Sequence, residues 1–516
     1  MKRTLTAFLF VLFFITTSTP AQTIVPADVD AYVTKVMRDL NVPGAVVAIV
    51  KDDRVVYARA FGVKELGKPE PVTTDTKFAI GSISKSFTTT ILGILVDEKK
   101  IQWDDHVSKY LPAYTMWDPW VTREQTVRDL LIHRAGLRPI SGGTVWYGSD
   151  YSREEVLRRA RYLEPVSSFR SVFSYQNVSF LAAGEVAHVA AGKTWDDQVR
   201  ERIFAPLGMS HSTTGLPDLA SNVSSPHAEI DGVLRTVPHR DYDNIAPAGS
   251  IYASVLDMAE YMRFHLNRGV VGDKRIYSEA VARELFSPQS LVSVPIPAPL
   301  PELAAFEPMF SAYGFGWFIR DVHGAKTIEH SGGVDGFSAQ VKMIPARRAA
   351  IIVLCNYEGP FTGVVDRHLA DVLLGAPQFD WLAFVQKRVA DRTKNRKDAE
   401  AKRLAERKAS EKPSLPLASY AGTYRDQLYG DLTITLENAK LVLRFSHTPS
   451  FTADLEPWHY DTFRTHWRDP VITKGFVTFP LTARGEIDAL VFDQPNLLDA
   501  DFRELDFHRV KEEAAH

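Results

Sequence analysis

The sequence predicts an α+β domain, an antiparallel sheet flanked by helices with a helical subdomain, followed by a small all-β barrel. Three observations carry this reading. Strand-like runs lie at 44–62 and again at 313–356, with helical patterns between them, so one sheet would be assembled from both ends of this segment. A densely charged stretch, Lys387 to Lys412, ends at Pro413 and Pro416 and sets that segment apart from the C-terminal region. From Tyr420 onward the chain turns to short alternating strands with polar turns, the pattern of a small barrel or sandwich. A length of 516 residues suits two or more domains, and 45% hydrophobic residues suit a large core.

Taken in order, Met1-Lys2-Arg3 is a basic start, Leu5 to Ile15 is an apolar run, and Ser18-Thr19-Pro20-Ala21 supplies small residues for cleavage. Together they predict a signal peptide over residues 1–21 and an exported, periplasmic or secreted, protein. The run is short for a membrane span, and no later stretch is long and apolar enough for one. Asp28 to Leu40 has the apolar spacing of an amphipathic helix. Gly44 to Val50 and Arg54 to Gly62 read as strands joined by a turn at Lys51-Asp52-Asp53. The stretch after Ser84 is apolar or β-branched nearly all round, which suits a central helix. Thr126 to His133 is a second helix, stopped at Ala135-Gly136-Leu137, and residues 151–210 are mostly helical by pattern. Prolines between 285 and 311 predict a surface loop, and Ala346-Arg347-Arg348 is a turn between two apolar runs. The α+β domain is therefore expected over 28–384, a charged helical linker over 385–416 and the barrel over 417–512. Within the last, Asp431 to Leu436 and Lys440 to Phe445 form a hairpin, and Trp458, Tyr460, Phe463 and Trp467 are expected in its core or rim.

A net charge of −3 gives no reason to expect nucleic acid as a partner, and acidic residues interleave the basic ones in the charged stretch. The single cysteine, Cys355, excludes an intramolecular disulfide and any CxxC site, and its apolar strand-like setting makes it structural.

Three short stretches carry chemistry. Ser82 and Lys85 stand three apart at a helix start, so both side chains lie on one face and the lysine can reach the hydroxyl. A weak nucleophile beside a potential base is the minimum for covalent acyl transfer. Ser174-Tyr175-Gln176-Asn177 precedes an apolar helix. A tyrosine beside a lysine can act as base or relay a proton, and Asn177 offers both an amide donor and an acceptor. Glu329-His330-Ser331-Gly332-Gly333 precedes a strand. Its glycines let the backbone approach an acyl group, and His330 adds a donor that could carry a proton near neutral pH.

In order and spacing, Ser82-x-x-Lys85, Tyr175-x-Asn177 and His330-Ser331-Gly332 resemble the serine β-lactamase and penicillin-binding-protein superfamily, most closely its class C-like branch of esterases, D-aminopeptidases and other peptidases. Leu130-Leu131-Ile132-His133 with Gly136-Leu137, and Pro247-Ala248-Gly249-Ser250 with Asp257-Met258-Ala259, resemble further segments of that family. The resemblance covers residues 28–380, and the C-terminal strands resemble the lipocalin-like barrel appended to some members.

The resemblance implies Ser82 as acylated nucleophile, Lys85 as its activating partner, Tyr175 as general base and Asn177 as orienting group. His330, Ser331, Gly332 and Gly333 would line the substrate site, with the N–H groups of Ser82 and Gly333 as oxyanion hole. No cofactor or metal is implied. The partner would be a small-molecule or peptide substrate, with a homo-oligomer compatible. Antibiotic-hydrolysing members carry lysine where His330 stands, so a small ester or peptide is the expected substrate. A β-lactam or cell-wall peptide, or a non-hydrolytic acylated sensor, are the alternatives. No G-x-S-x-G surrounds Ser82, so an α/β-hydrolase is excluded.

Overall fold

Apolar, β-branched runs build the sheet. Its strands are Gly44–Lys51 (β1), Arg54–Gly62 (β2), Ser290–Leu291 (β3), Ser311–Tyr313 (β4), Phe318–Val322 (β5), Ala325–Val334 (β6), Phe337–Ile344 (β7) and Ala349–Cys355 (β8). The computed structural model describes residues 26–293, 306, 308–408, 410–495 and 497–511. The expected signal peptide over 1–21 and much of the expected proline-rich loop lie outside the described residues.

The strands form one sheet in the order β2-β1-β8-β7-β6-β5-β4-β3, and all named pairs are antiparallel. β1 joins β8 with Ala45 opposite Cys355, so the early hairpin and the late strands share one sheet. β1 and β8 are buried along almost their whole length because both sheet faces are covered. On one face lie the helices Pro26–Asp39 (α1) and Phe361–Leu374, whose Val33, Val36, Val365 and Leu369 meet Val47, Ile351 and Val353. Helix Ser84–Asp97 (α2) lies on the other face, buried from Ser84 to Leu95. Two of its threonines are satisfied locally, the Thr89 and Thr90 hydroxyls donating to the Ser86 carbonyl, whereas Thr88 donates to the Pro247 carbonyl. Phe87, Ile91, Leu92 and Leu95 are fully buried there, each contributing about 1.5–3 kcal/mol.

The C-terminal strands, from Gly422–Asp426 to Phe507–Arg509, close into an eight-stranded barrel. Side chains such as Tyr424, Leu443, Phe445, Phe463 and Phe507 fill its interior. Trp467 is buried with them, Trp458 is buried under the Arg407 and Arg464 guanidinium groups, and Tyr460 stays 43% exposed at the rim. The barrel is not a separate appendage. Phe451, Ala500 and Phe502 belong to the same apolar cluster as Trp146 of the first domain.

The charged stretch expected as a helical linker is helical, and it packs against both domains. It is a 25-residue helix, Trp381–Ala405, which begins before residue 385 because Trp381, Leu382 and Val385 are buried against the first domain. Further along, Glu400 pairs with Arg464 of the barrel at 2.6 Å, and the Arg407 guanidinium stacks 4.5 Å from the Trp458 ring. The helix is thus anchored at both ends. Among the described residues no helix is long and apolar enough to cross a membrane.

Candidate active site

Ser82 sits in a single 3-10 turn, Gly81–Ile83, that runs straight into α2. The turn is pressed against β6. A methyl group at Gly332 would lie 1.8 Å from the Ile80 carbonyl oxygen, and one at Gly81 would lie 2.8 Å from the Gly333 nitrogen. Gly81 also adopts a φ of +51°, which a side chain disfavours. Glycine at 81 and 332 is therefore what lets the nucleophile turn touch the strand. β5 pairs with β6 only from Ala325 to Glu329, so the His330–Val334 half of β6 presents an open edge beside Ser82.

Lys85 is buried one turn on. Its Nζ lies 3.0 Å from Ser82 Oγ, 2.7 Å from Asn177 Oδ1 and 2.9 Å from the Ala248 carbonyl oxygen. Two of these partners are acceptors only, so they take two N–H groups and leave the third tetrahedral direction aimed at Ser82. Burial pushes the Lys85 pKa down to about 7, with Asp499 opposing the shift. In the neutral amine that third direction is a lone pair facing the serine hydroxyl.

Tyr175 and Asn177 are delivered by a loop that ends where the apolar helix Val178–Ala191 begins. His133 builds this loop. Its carbonyl accepts from the Ser174 N–H at 2.7 Å, and its ring Nδ1 accepts from the Gln176 N–H at 3.0 Å. The Lys85 Nζ stands 4.7 Å over the Tyr175 ring, and the Tyr175 hydroxyl faces Ser82 without closing a hydrogen bond. Burial drives the Tyr175 pKa well up, so the phenol keeps its proton. The expectation of a base-like tyrosine beside a lysine ammonium gives way here: desolvation dominates, and the lysine lies over the ring face.

His330 also differs from expectation. Only 2% exposed, it accepts from the Tyr313 hydroxyl at Nε2, 3.0 Å, and donates from Nδ1 to the Ser331 carbonyl, 2.6 Å. Burial and the nearby Lys85 push its pKa down to about 3, so near neutral pH it stays neutral, keeps the Nδ1 proton it donates and takes up no second one. Ser331 is not brought to the site at all. Strand side chains alternate, and Ser331 follows Glu329 to the opposite face, into a charged cavity with Lys342, Asp366 and Gln340. Gly332 and Gly333 do reach the site.

One participant has no counterpart in the sequence motifs. Asp499, from the barrel, accepts a 3.0 Å hydrogen bond from Asn177 Nδ2. With Ser82, Asn177, Trp146, Tyr242, Ala248 and Gly333 it bounds a cavity of about 10 Å³, the size of one water. Nothing near Asp499 in the chain resembles a motif, and the contact spans 322 residues of sequence.

A serine turn pressed against an open strand edge, with a buried lysine and a Tyr-x-Asn loop, defines a serine acyl-transfer centre on this α+β scaffold. Residues 29–375 match the family model described as Beta-lactamase, and 406–509 match a domain of unknown function (DUF3471). The chain belongs to the beta-lactamase family and is a serine hydrolase. It is 27% identical over 82% of its length to unguisins hydrolase ungD of Aspergillus violaceofuscus, covering 78% of that protein. To the D-aminopeptidase of Brucella anthropi it is 28% identical, over 67% of this chain and 62% of that protein. Among solved structures, the octameric penicillin-binding protein homologue from Pyrococcus abyssi matches with a TM-score of 0.60 at 21% identity, over 94% of this chain and 99% of that one.

Proposed function

We propose that Ser82 forms an acyl-enzyme with a small ester or peptide amide, with Lys85 as general base. The observation that carries this reading is the three-way placement of Lys85. Asn177 and the Ala248 carbonyl fix two N–H groups, and the remaining lone pair meets Ser82 at 3.0 Å in a group whose pKa is about 7. Ser82 Oγ attacks the substrate carbonyl while its proton passes to Lys85. The Ser82 N–H lies in the first turn of a helical segment, where backbone donors have no intrahelical acceptor, and with the Gly333 N–H it would hold the oxyanion. Lys85 then hands the proton it took from Ser82 to the leaving alcohol or amine, and the protonated Tyr175 hydroxyl, which faces Ser82, donates a hydrogen bond to the leaving atom. Water reverses the sequence and releases the acid.

Charge argues for the substrate class. A β-lactam carboxylate needs a cation on the strand, whereas here His330 is neutral and Asp499 adds a negative charge to the cavity wall. Neutral or amine-bearing acyl groups are favoured, in keeping with the D-aminopeptidase among the relatives. The test compares wild type with Ser82→Ala on a p-nitrophenyl short-chain ester, a chromogenic cephalosporin, and D- and L-aminoacyl anilides. Turnover of ester or anilide that falls at least about 1,000-fold in the variant, with little cephalosporin cleavage, is expected. Cephalosporin as the preferred substrate would reverse the substrate assignment, and activity surviving Ser82→Ala would remove the nucleophile.

A further inference from the structure

The loop that brings Asp499 to the cavity, and the barrel that carries it, are tied to the first domain by several independent contacts. Glu504 accepts from the Gly142 N–H at 2.9 Å and from the Thr144 hydroxyl at 2.6 Å. Arg240 bridges Asp335 of the first domain and Asp469 of the barrel, the latter at 2.9 Å, and its guanidinium stacks 4.5 Å from the Tyr147 ring. The loop backbone also lies hard against Gly143, where a methyl group would stand 1.7 Å from the Asp499 carbonyl oxygen. This closeness leaves no play in the position of Asp499.

The consequence falls on Asn177. An amide side chain has two orientations that fill the same space. With Asp499 accepting from Nδ2 at 3.0 Å, Oδ1 is turned to Lys85 at 2.7 Å. In the flipped orientation the amide NH2 would donate to the Lys85 lone pair, consume it and turn an N–H toward Ser82. Burial raises the Asp499 pKa to about 6, with Lys85 and the Asn177 hydrogen bond opposing; above that pH its carboxylate facing Nδ2 excludes the flipped orientation, because two acceptors cannot face each other.

We propose that Asp499 is a positioning residue for catalysis, holding the Asn177 amide so that Lys85 keeps its lone pair for Ser82, and that the barrel thereby completes the active site of the hydrolase domain. The inference rests on Ser82 being the nucleophile and Lys85 its base. It gives the barrel a role in the chemistry as well as in packing. Among the described residues Asp499 is the charged group that opposes the fall of the Lys85 pKa, while the neighbouring His133 and His330 are both driven down and stay neutral.

The experiment measures the rate at which a neutral alkyl fluorophosphonate labels Ser82 as a function of pH. This probe carries no amine, so substrate recognition by Asp499 plays no part. Ser82 Oγ attacks phosphorus, fluoride leaves, and the serine proton passes to Lys85. Asp499→Asn should label about 10- to 100-fold more slowly, the usual loss when a group orienting a functional side chain is removed. Its acid limb, near pH 7 in wild type, should move to lower pH, because a negative charge has been taken from beside Lys85. Gly143→Ala, which keeps the carboxylate but displaces the loop, should show the same slowing and the same shift in a folded protein of unchanged circular dichroism. Equal labelling rates and pH limbs in wild type and both variants would overturn the proposal while leaving the nucleophile in place. A wild type in which Ser82 is not labelled would overturn the proposed nucleophile and this inference together.

Discussion

Lys85→Met should lose ester and anilide turnover by at least about 1,000-fold, at the strong end of the range for a positioned general base. Methionine matches the lysine stem in length and keeps the helix packed, so the loss reports chemistry. The same substitution carries a signature in stability. In the folded chain the Lys85 pKa falls from 10.5 to about 7 because burial disfavours the ammonium. A base with a depressed folded pKa destabilises the fold in full below that pKa, and the penalty fades as pH approaches the unfolded value. At 1.36 kcal/mol per unit the penalty is on the order of 5 kcal/mol below about pH 7. The variant also leaves Asn177 Oδ1 and the Ala248 carbonyl without their donor, a cost of about 1–3 kcal/mol each. That cost does not depend on pH. Wild type should therefore gain stability relative to Lys85→Met as pH rises from about 7 to about 10.5, measured by denaturant melts. A difference that stays flat across that window would mean Lys85 is an ordinary ammonium in the folded chain.

Gly332→Ala should damage both fold and activity. The added methyl meets backbone, 1.8 Å from the Ile80 oxygen and 2.7 Å from the Ile80 carbon, with no flexible side chain to yield. β6 and the serine turn must part. Overpacking of this kind costs about 1–3 kcal/mol. A displacement near 1 Å at the nucleophile costs about 100-fold in rate. Gly333→Ala is the contrast for stability, since its methyl would meet only the Leu498 side chain at 3.5 Å. Thermal melts should separate the two, with Gly333→Ala close to wild type. Equal melting temperatures for wild type and Gly332→Ala would show that the serine turn and β6 are not in contact.

Local periodicity made most of the first domain legible. The hairpin at Gly44–Gly62, the buried helix after Ser84 and the strands from Tyr313 to Cys355 stand where alternation and apolar spacing place them. The Ser82–Lys85 pair was legible because i, i+3 geometry on a helix is a local property. Ser331 was misplaced because its neighbours suggested a site-lining tripeptide, whereas the two-residue repeat of the strand sends it to the far face. The protonation states of Tyr175 and His330 were not legible either. They are set by burial and by Tyr313 and Lys85, which sequence spacing does not bring together. Asp499 left no local trace. Its place depends on how a whole barrel docks through Glu504 and Arg240, and such long-range packing has no periodicity to read.

The central claim is that neutral Lys85 activates Ser82. Its most direct test is the pre-steady-state burst of p-nitrophenol from a p-nitrophenyl ester, tracked from about pH 5 to about pH 9, with the trapped adduct located by peptide mass. An adduct on Ser82 alone is expected, with a burst rate that climbs with pH and levels off above about 7, as the lysine loses its proton. An adduct on another residue, or a burst rate that does not change over this range, would contradict it.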